Sequence, residues 1–256
     1  PNSRRQRQMC IRDRSFADLS ERLMPSVVNI STTTTVTTRS NPLPFEFPPG
    51  SPFEDMFGTP QQRQTSALGS GFIIDEEGIV ITNNHVIQGA QDIVVRVNGD
   101  KDYKAKVLGA DAGMDLAVLK IESDEKFKPV NFGNSDKARI GDWVIAIGNP
   151  FGLGGTVTAG IISARNRSIG LSRYEDYIQT DASINQGNSG GPLFNMNGDV
   201  IGINTAILGQ SGSIGIGFAI PSNSAQKVIK QLIEFGETKR GWLGVRIQVV
   251  DQGIAD

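Results

Sequence analysis

The 256-residue chain is long enough for one large domain or two small ones, and its composition is ordinary for a globular protein. Its 25 basic and 27 acidic residues nearly balance, so nothing predicts the basic domain or stripe that binds nucleic acid. No apolar run reaches the roughly 18 residues that a membrane-spanning helix requires.

One cysteine and one histidine restrict the chemistry further. Cys10 has no second cysteine with which to form an intrachain disulfide. Zinc sites built on paired histidines are excluded, and any histidine-dependent catalysis must use His85. Residues 1–14, around Cys10, are interpreted either as a stretch foreign to the domain or as a disordered basic tail. No secretory signal is visible among them, which predicts a mature or trimmed chain.

The chain is predicted to begin its fold with a short helix that ends at Pro25, followed by a strand at 26–32. Residues 33–66 differ in kind, because they hold six of the twelve prolines and four of the twelve phenylalanines. A loop this long inside a compact domain is uncommon. It is interpreted either as an unstructured insertion or as a regulatory loop that carries aromatic side chains, namely those of Phe45, Phe47, Phe53 and Phe57.

Beyond residue 67, short runs rich in Val, Ile and Thr alternate with glycine-containing turns, the pattern of an all-β protein. The first set comprises GSGFIID, GIVITN, IVVRV, YKAKVLGAD and DLAVLKI. After a charged crossover at about 122–140, the second set comprises DWVIAIG, GTVTAGIISA, YIQTD, GPLFN, DVIGINTAI and IGIGFAI. Two sets of about six strands predict two six-stranded antiparallel β-barrels, at about 26–121 and 141–220.

Apolar residues at helical spacing predict a C-terminal helix at about 222–235, which ends at Gly236. The segment RGWLGVRIQVV that follows is strand-like. Residues 237–256 are therefore expected to be a linker and the beginning of a second domain.

The strongest chemical motif is GNSGGP, which runs from Gly187 to Pro192 with Ser189 in its centre. Acyl transfer requires an exposed serine hydroxyl and backbone N–H groups that converge on a developing oxyanion. Glycines on both sides allow the backbone to fold so that the Gly187 and Ser189 amides point in the same direction. An ordinary glycine-rich turn is the alternative interpretation. It is the weaker one, because all six positions of GNSGGP match the pattern expected around a nucleophilic serine.

His85 follows a strand in TNNHVI, and Asp115 precedes a strand in GMDLAVL. Taken singly, each has a plain structural interpretation. The order His, Asp, Ser changes this, because a histidine must take the serine proton and a carboxylate must orient the histidine. That order across two β-barrels is the chymotrypsin arrangement, which predicts His85, Asp115 and Ser189 as a catalytic triad.

Several motifs in order, TNNHVI, DLAVLK, GNSGGPLFNMNGDVIGINTAI and GIGFAIPS, resemble the bacterial HtrA/Deg family of periplasmic serine proteases. The resemblance runs from about residue 15 to the end, where RGWLGV resembles the first strand of the family's PDZ domain. It implies the chymotrypsin/trypsin-like fold, with His85 as base, Asp115 as orienting acid and Ser189 as nucleophile. It also implies an oxyanion hole formed by the amides of Gly187, Asn188 and Ser189.

Substrate preference is expected from residues near the nucleophile. Trypsin-like enzymes that cut after Lys or Arg carry an aspartate six positions before the nucleophile, where this chain has Ser183. A basic side chain would be buried there without a partner. The resemblance maps the pocket onto five aliphatic residues, which predict cleavage after Val or Ala, although each could equally belong to the barrel core. These residues are Ile184, Ile207, Leu208, Ile214 and Ile216.

The resemblance also implies two regulatory elements. Residues 33–66 resemble the family's variable insertion, which can reach a neighbouring subunit's active site. Residues 165–176 resemble the loop that communicates with the PDZ domain and the adjacent subunit, with Arg167 as the contact residue.

The first functional hypothesis is an ATP-independent, cofactor-free and metal-free periplasmic endopeptidase that degrades unfolded proteins as a homotrimer. The alternative is a chaperone-like holdase or scaffold with a silent triad. A peptide-binding module alone is the third and weakest hypothesis, because it would depend on the unfinished PDZ domain.

Overall fold

The computed structural model describes residues 15–38, 61–98, 101–149, 155–170, 174–185, 187–207, 215–241 and 244–245. Cys10 and the four phenylalanines of the proline-rich stretch lie outside these residues. Helix α1 spans Ala17–Leu23 and is extended by a 3₁₀ turn at Met24–Ser26, where Pro25 ends the α-helical hydrogen bonding. Among the described residues, no helix is long and apolar enough to cross a membrane.

The fold is two closed antiparallel β-barrels of six strands each, which confirms the predicted fold class. The first barrel has the strand order β1-β2-β3-β6-β5-β4. Its strands are β1 Val27–Thr38, β2 Gln61–Ile73, β3 Ile79–Thr82, β4 Asp92–Val97, β5 Lys101–Asp111 and β6 Leu116–Ile121. A single-turn helix α2, Asn84–Ile87, follows β3.

The second barrel has the strand order β10-β11-β12-β9-β8-β7. Its strands are β7 Trp143–Gly148, β8 Thr156–Arg167, β9 Tyr177–Thr180, β10 Pro192–Phe194, β11 Val200–Ile207 and β12 Gly217–Pro221. Helix α3, Ser222–Phe235, follows directly and ends at Gly236, whose φ of 76° is the left-handed conformation that glycine adopts readily.

Strands at the seam between the barrels are buried on both faces. Phe72 and Ile73 are neighbours in β2, so their side chains point in opposite directions. Ile73 packs inside the first barrel, whereas Phe72 belongs to the cluster that also contains Ile147 and Phe218 of the second barrel. Leu232 of α3 packs into the same cluster. The continuous apolar runs in the sequence follow from this two-sided burial.

The prediction of a loop at 33–66 was wrong at both ends. Strands β1 and β2 remain paired from Val27↔Phe72 to Thr38↔Gln61. The threonine-rich run 32–38 therefore continues the ladder, because β-branched Thr suits extended backbone. The connection between β1 and β2 is correspondingly shorter than the sequence suggested.

Candidate active site

His85 and Asp115 meet on the first barrel, at the edge that faces the second. His85 Nδ1 lies 2.7 Å from Asp115 Oδ2, and the His85 backbone N–H donates to Asp115 Oδ1 at 2.9 Å. The His85 side chain is 47% exposed and that of Asp115 only 26%, so the imidazole is open to substrate and the carboxylate is sheltered. A carboxylate in this position favours the tautomer with the proton on Nδ1, which would leave Nε2 available for the predicted role of base.

The backbone around Asp115 is shaped to present its carboxylate. Asp115 has a left-handed φ of 54° in the turn before β6, a conformation that Asp tolerates better than most residues. Its carbonyl accepts hydrogen bonds from the Asn84 backbone N–H at 3.1 Å and from Asn83 Nδ2 at 2.8 Å. These bonds hold the Asp115 turn against the start of α2, which carries His85.

The second barrel supplies a further hydrogen bond to the same carboxylate. Thr205 Oγ1 in β11 donates to Asp115 Oδ2 at 2.7 Å. Thr205 was not identified from the sequence, because a threonine within a strand has no distinguishing motif. The preceding residue, Asn204, binds the glycines after the nucleophile: Gly190 N–H donates to Asn204 O at 2.8 Å.

Ser189 is half-buried at the seam, and its loop is docked on the first barrel. The Ser70 N–H donates to Ser189 O at 2.9 Å. Gly190 has a φ of 82°, and a Cβ there would lie 3.1 Å from the Asn83 backbone nitrogen. The nucleophile loop therefore lies beside the segment that leads to His85. Between the described residues, Ser189 and the His85 ring form no hydrogen bond in this conformation, a contact that often tightens only when substrate binds.

The three predicted oxyanion-hole amides differ in availability. The Asn188 N–H donates to Asn185 O at 2.9 Å, so it is occupied in this conformation. The Asn188 carbonyl accepts the Gly191 N–H at 2.9 Å, which fixes the peptide unit that carries the Ser189 N–H. Within the described part of the chain, the Gly187 and Ser189 amides donate no hydrogen bond, so these two remain the predicted donors to an oxyanion.

The predicted pocket residues are only partly described. Ile184 is 1% exposed and packs in the core of the second barrel, against Gly217. Ile216 is half-buried. The Ile207 backbone pairs with Gly217, and its side chain, like all of Leu208 and Ile214, lies outside the described residues.

Ser183 and Arg167 are both exposed. The Ser183 carbonyl accepts hydrogen bonds from Asn188 Nδ2 and Thr158 Oγ1, each at 3.0 Å. Arg167 ends β8, and its Nε donates to Gln179 Oε1 at 3.0 Å. Its regulatory contact with the PDZ domain and an adjacent subunit stays a prediction. Nor do these residues contain a group of three His, Cys, Asp or Glu side chains suited to a metal ion.

The molecule consists of two paired antiparallel barrels. One barrel carries a His–Asp pair, and the other carries a serine beside glycines. This arrangement defines a chymotrypsin-like serine peptidase domain. Comparison with known proteins agrees, since residues 69–203 match the family model described as "Trypsin-like peptidase domain".

Among curated relatives, a probable periplasmic serine endoprotease DegP-like of Marinomonas sp. (strain MWYL1) is 50% identical over 256 residues, covering 94% of this chain and 54% of the relative. The protein of the same description from Brucella suis biovar 1 (strain 1330) is 46% identical over 272 residues, with 94% and 53% covered. This chain thus spans about half the length of these relatives.

Two solved structures extend the comparison. HtrA-type protease AlgW with decapeptide superposes with a TM-score of 0.78 at 46% identity, covering 94% of this chain and 74% of that one. The same protease with tripeptide gives 0.78 at 43% identity, with 94% and 71% covered. The chain belongs to the HtrA-type, DegP-like family of trypsin-like serine proteases.

Proposed function

We propose that this chain is an ATP-independent endopeptidase that cleaves unfolded proteins in the periplasm through an acyl-enzyme. The observation that carries the proposal is the hydrogen-bonded contact between His85 and Asp115. Thr205 donates a further hydrogen bond to the same carboxylate, and the Ser189 loop lies beside it. The periplasmic location is supported by the relatives, which are named periplasmic proteases.

In the proposed reaction, Ser189 Oγ attacks the scissile carbonyl carbon while His85 Nε2 takes the hydroxyl proton. The resulting imidazolium is stabilised by Asp115 through Nδ1. The carbonyl oxygen becomes an anion that accepts hydrogen bonds from the Gly187 and Ser189 amides. When the C–N bond breaks, His85 returns the proton to the leaving amine. Water, activated by the same imidazole, then hydrolyses the ester and restores Ser189.

We propose a preference for small or medium aliphatic side chains at the cleaved position. Ser183 is uncharged and exposed, so this position supplies no buried anionic partner for a bound Lys or Arg side chain. Half-buried Ile216 is an aliphatic wall compatible with this preference. The burial of Ile184 within the barrel core makes its direct contact with substrate less favourable.

We also propose that the chain assembles as a homotrimer through an apolar surface on the second barrel. Trp143 is 55% exposed, Ile140 66% and Met196 46%. The Trp143 ring lies 5.7 Å from that of Phe16, and Trp143 and Met196 line one cavity of about 560 Å³. Exposed apolar patches of this kind mark interaction sites. The family resemblance implies the trimer, and the exposed apolar side chains of this surface support the proposal.

The test is labelling by a fluorophosphonate probe, read by intact mass, on this chain and on its Ser189→Ala variant. Labelling confined to the unsubstituted chain is expected, because a phosphonylated serine requires both a reactive hydroxyl and a formed oxyanion hole. Labelling should be repeated with an unfolded protein present. If neither condition gives labelling and the chain still suppresses aggregation of that protein, the holdase alternative is favoured.

A further inference from the structure

Ser70 lies in β2 of the first barrel, yet both hydrogen bonds of its hydroxyl are made to the second barrel. Its side chain is fully buried. Ser70 Oγ donates to Gly187 O at 2.5 Å and accepts from the Asn149 N–H at 2.7 Å. A serine hydroxyl has one proton to donate, and here that proton goes to the loop before the nucleophile.

The Gly187 carbonyl shares a planar peptide unit with the Asn188 N–H. Asn188 N–H donates to Asn185 O at 2.9 Å, so Ser70 and Asn185 hold this unit at opposite ends. Rotating it would break both bonds. Along the chain, the peptide unit that carries the Gly187 N–H precedes this fixed unit, and the peptide unit that carries the Ser189 N–H follows it.

The backbone of Ser70 holds a second part of the same loop. Its N–H donates to Ser189 O at 2.9 Å, and its carbonyl accepts from Thr82 Oγ1 at 2.8 Å. Ser70 therefore fixes the peptide units before and after the one that carries the Ser189 N–H.

We infer that Ser70 is a positioning residue for the oxyanion hole: its hydroxyl orients the Gly187–Asn188 peptide so that the Gly187 and Ser189 amides converge. The inference rests on the proposed acyl transfer at Ser189. Without the hydroxyl, the Gly187 carbonyl and the Asn149 N–H lose a buried partner, and the loop can reorient to find another. Ser70 touches no reacting atom, so its effect reaches the reaction through the direction of two N–H groups.

Ser222, the first residue of α3, offers a matched control. It is also fully buried, and its hydroxyl also donates to a glycine carbonyl, Gly133 O at 2.7 Å. Replacing either serine by alanine removes the same atom from the same kind of environment. A purely structural role for Ser70 predicts similar behaviour of the two variants.

The experiment compares Ser70→Ala and Ser222→Ala with the unsubstituted chain, using a fluorogenic peptide that has Val at the cleaved position. For Ser70→Ala, kcat is expected to fall about 10- to 100-fold with KM changed less than about threefold, because transition-state stabilisation is lost rather than binding. For Ser222→Ala, kcat is expected to stay within about twofold. Amide hydrogen exchange over residues 187–191 is expected to accelerate in Ser70→Ala alone.

Equal kcat values for Ser70→Ala and the unsubstituted chain, or equal losses in both variants, would overturn the inference. If the unsubstituted chain does not hydrolyse peptides at all, the proposed function fails. In that case the amide hydrogen exchange of residues 187–191, compared between Ser70→Ala and Ser222→Ala, still tests whether Ser70 holds the loop. Should Ser70→Ala fail to fold, Ser70→Cys retains a weaker donor at the same place. It should then give an intermediate loss of kcat, and an unchanged kcat would contradict the inference.

Discussion

Thr205 of the second barrel and Asp115 of the first barrel are joined by a hydrogen bond of 2.7 Å across the seam. The Asp115 oxygen that accepts it, Oδ2, is the one that faces His85 Nδ1, while Oδ1 accepts the His85 backbone N–H. Both barrels therefore fix the plane of one carboxylate. The orientation of the histidine depends on the barrels being docked, and not on the first barrel alone.

Thr205→Val tests this dependence. Valine keeps the branched shape but removes the hydroxyl, so Asp115 Oδ2 loses one of its two donors and the carboxylate can rotate. We expect kcat to fall about tenfold with little change in KM, since general-base catalysis depends on the aligned imidazole. Thr205→Ser keeps the hydroxyl and should retain most activity. Equal rates for the two variants in peptide hydrolysis would contradict a role for the Thr205 hydroxyl.

Much of the fold could be predicted from residue patterns, because period-two alternation and glycine turns are local signals. The two-barrel class and the C-terminal helix followed from them. The extension of β1 and β2 did not, since the proline-rich stretch between them led us to assign residues 33–38 and 61–66 to a loop. Strand pairing is a long-range property, and only the partner strand shows that these threonines form a ladder.

The candidate site was predictable where chemistry imposes a motif and not where it depends on packing. The sequence predicted the triad of His85, Asp115 and Ser189, because the order of these residues and their neighbours match the requirements of acyl transfer. Thr205 and Ser70 are ordinary residues of strands, and their roles arise only from the opposite barrel. A single sequence carries no signal for contacts of this kind.

Gly190→Ala should damage both stability and activity. A Cβ at this position would lie 2.3 Å from Ser70 O and 2.4 Å from Thr82 Oγ1, and the φ of 82° is itself unfavourable for alanine. We expect a loss of more than about 3 kcal/mol in the free energy of unfolding, measured with urea. Gly141→Ala is the matched control, because its φ is 93° and nothing lies within 4 Å of the added atom. It should cost only about 1–2 kcal/mol, and equal losses would refute the steric argument.

Asp111 makes stability depend on pH at the segment after α3. Its side chain is 2% exposed. The carboxylate accepts hydrogen bonds from Arg240 Nη2 at 2.5 Å and from the Met114 N–H at 3.1 Å. Burial acts to raise the pKa of Asp111, but the hydrogen bonds from Arg240 and the Met114 N–H, together with the charge of Arg240, outweigh it, so this pKa lies below its ordinary value of 3.8. The ionised carboxylate therefore contributes stability above about pH 4, and the contribution is lost as pH falls through the lowered pKa.

Asp111→Asn should consequently cost about 2 kcal/mol at neutral pH, where Arg240 loses its charged partner. The difference from the unsubstituted chain should shrink as pH falls below about 4, as measured by urea unfolding across pH. Asp102→Asn, which removes an exposed pair with Arg96, should change the unfolding free energy far less. A difference for Asp111→Asn that is independent of pH would rule out the ionised form as its source.

Ser183→Asp tests the proposed pocket. Ser183 is exposed, so a carboxylate introduced there would stay solvated and would give a bound Arg side chain little extra stabilisation. We expect the ratio of kcat/KM for Arg over Val at the cleaved position to rise less than about tenfold. Ser183→Asn controls for size without charge. A much larger rise would mean that residue 183 forms the base of the pocket in the substrate complex.

Trp143→Glu tests the proposed trimer surface. The exposed Trp143 ring packs beside Phe16 and lines the same cavity as Met196, so a carboxylate there would place a charge within the apolar contact. We expect sedimentation velocity to show a trimer for the unsubstituted chain and mainly monomer for the variant. Phe235→Glu is the control, since Phe235 is a 47% exposed aromatic residue outside this surface, in α3 beside Lys239. If Trp143→Glu remains trimeric, or if both variants dissociate equally, the subunits must meet elsewhere.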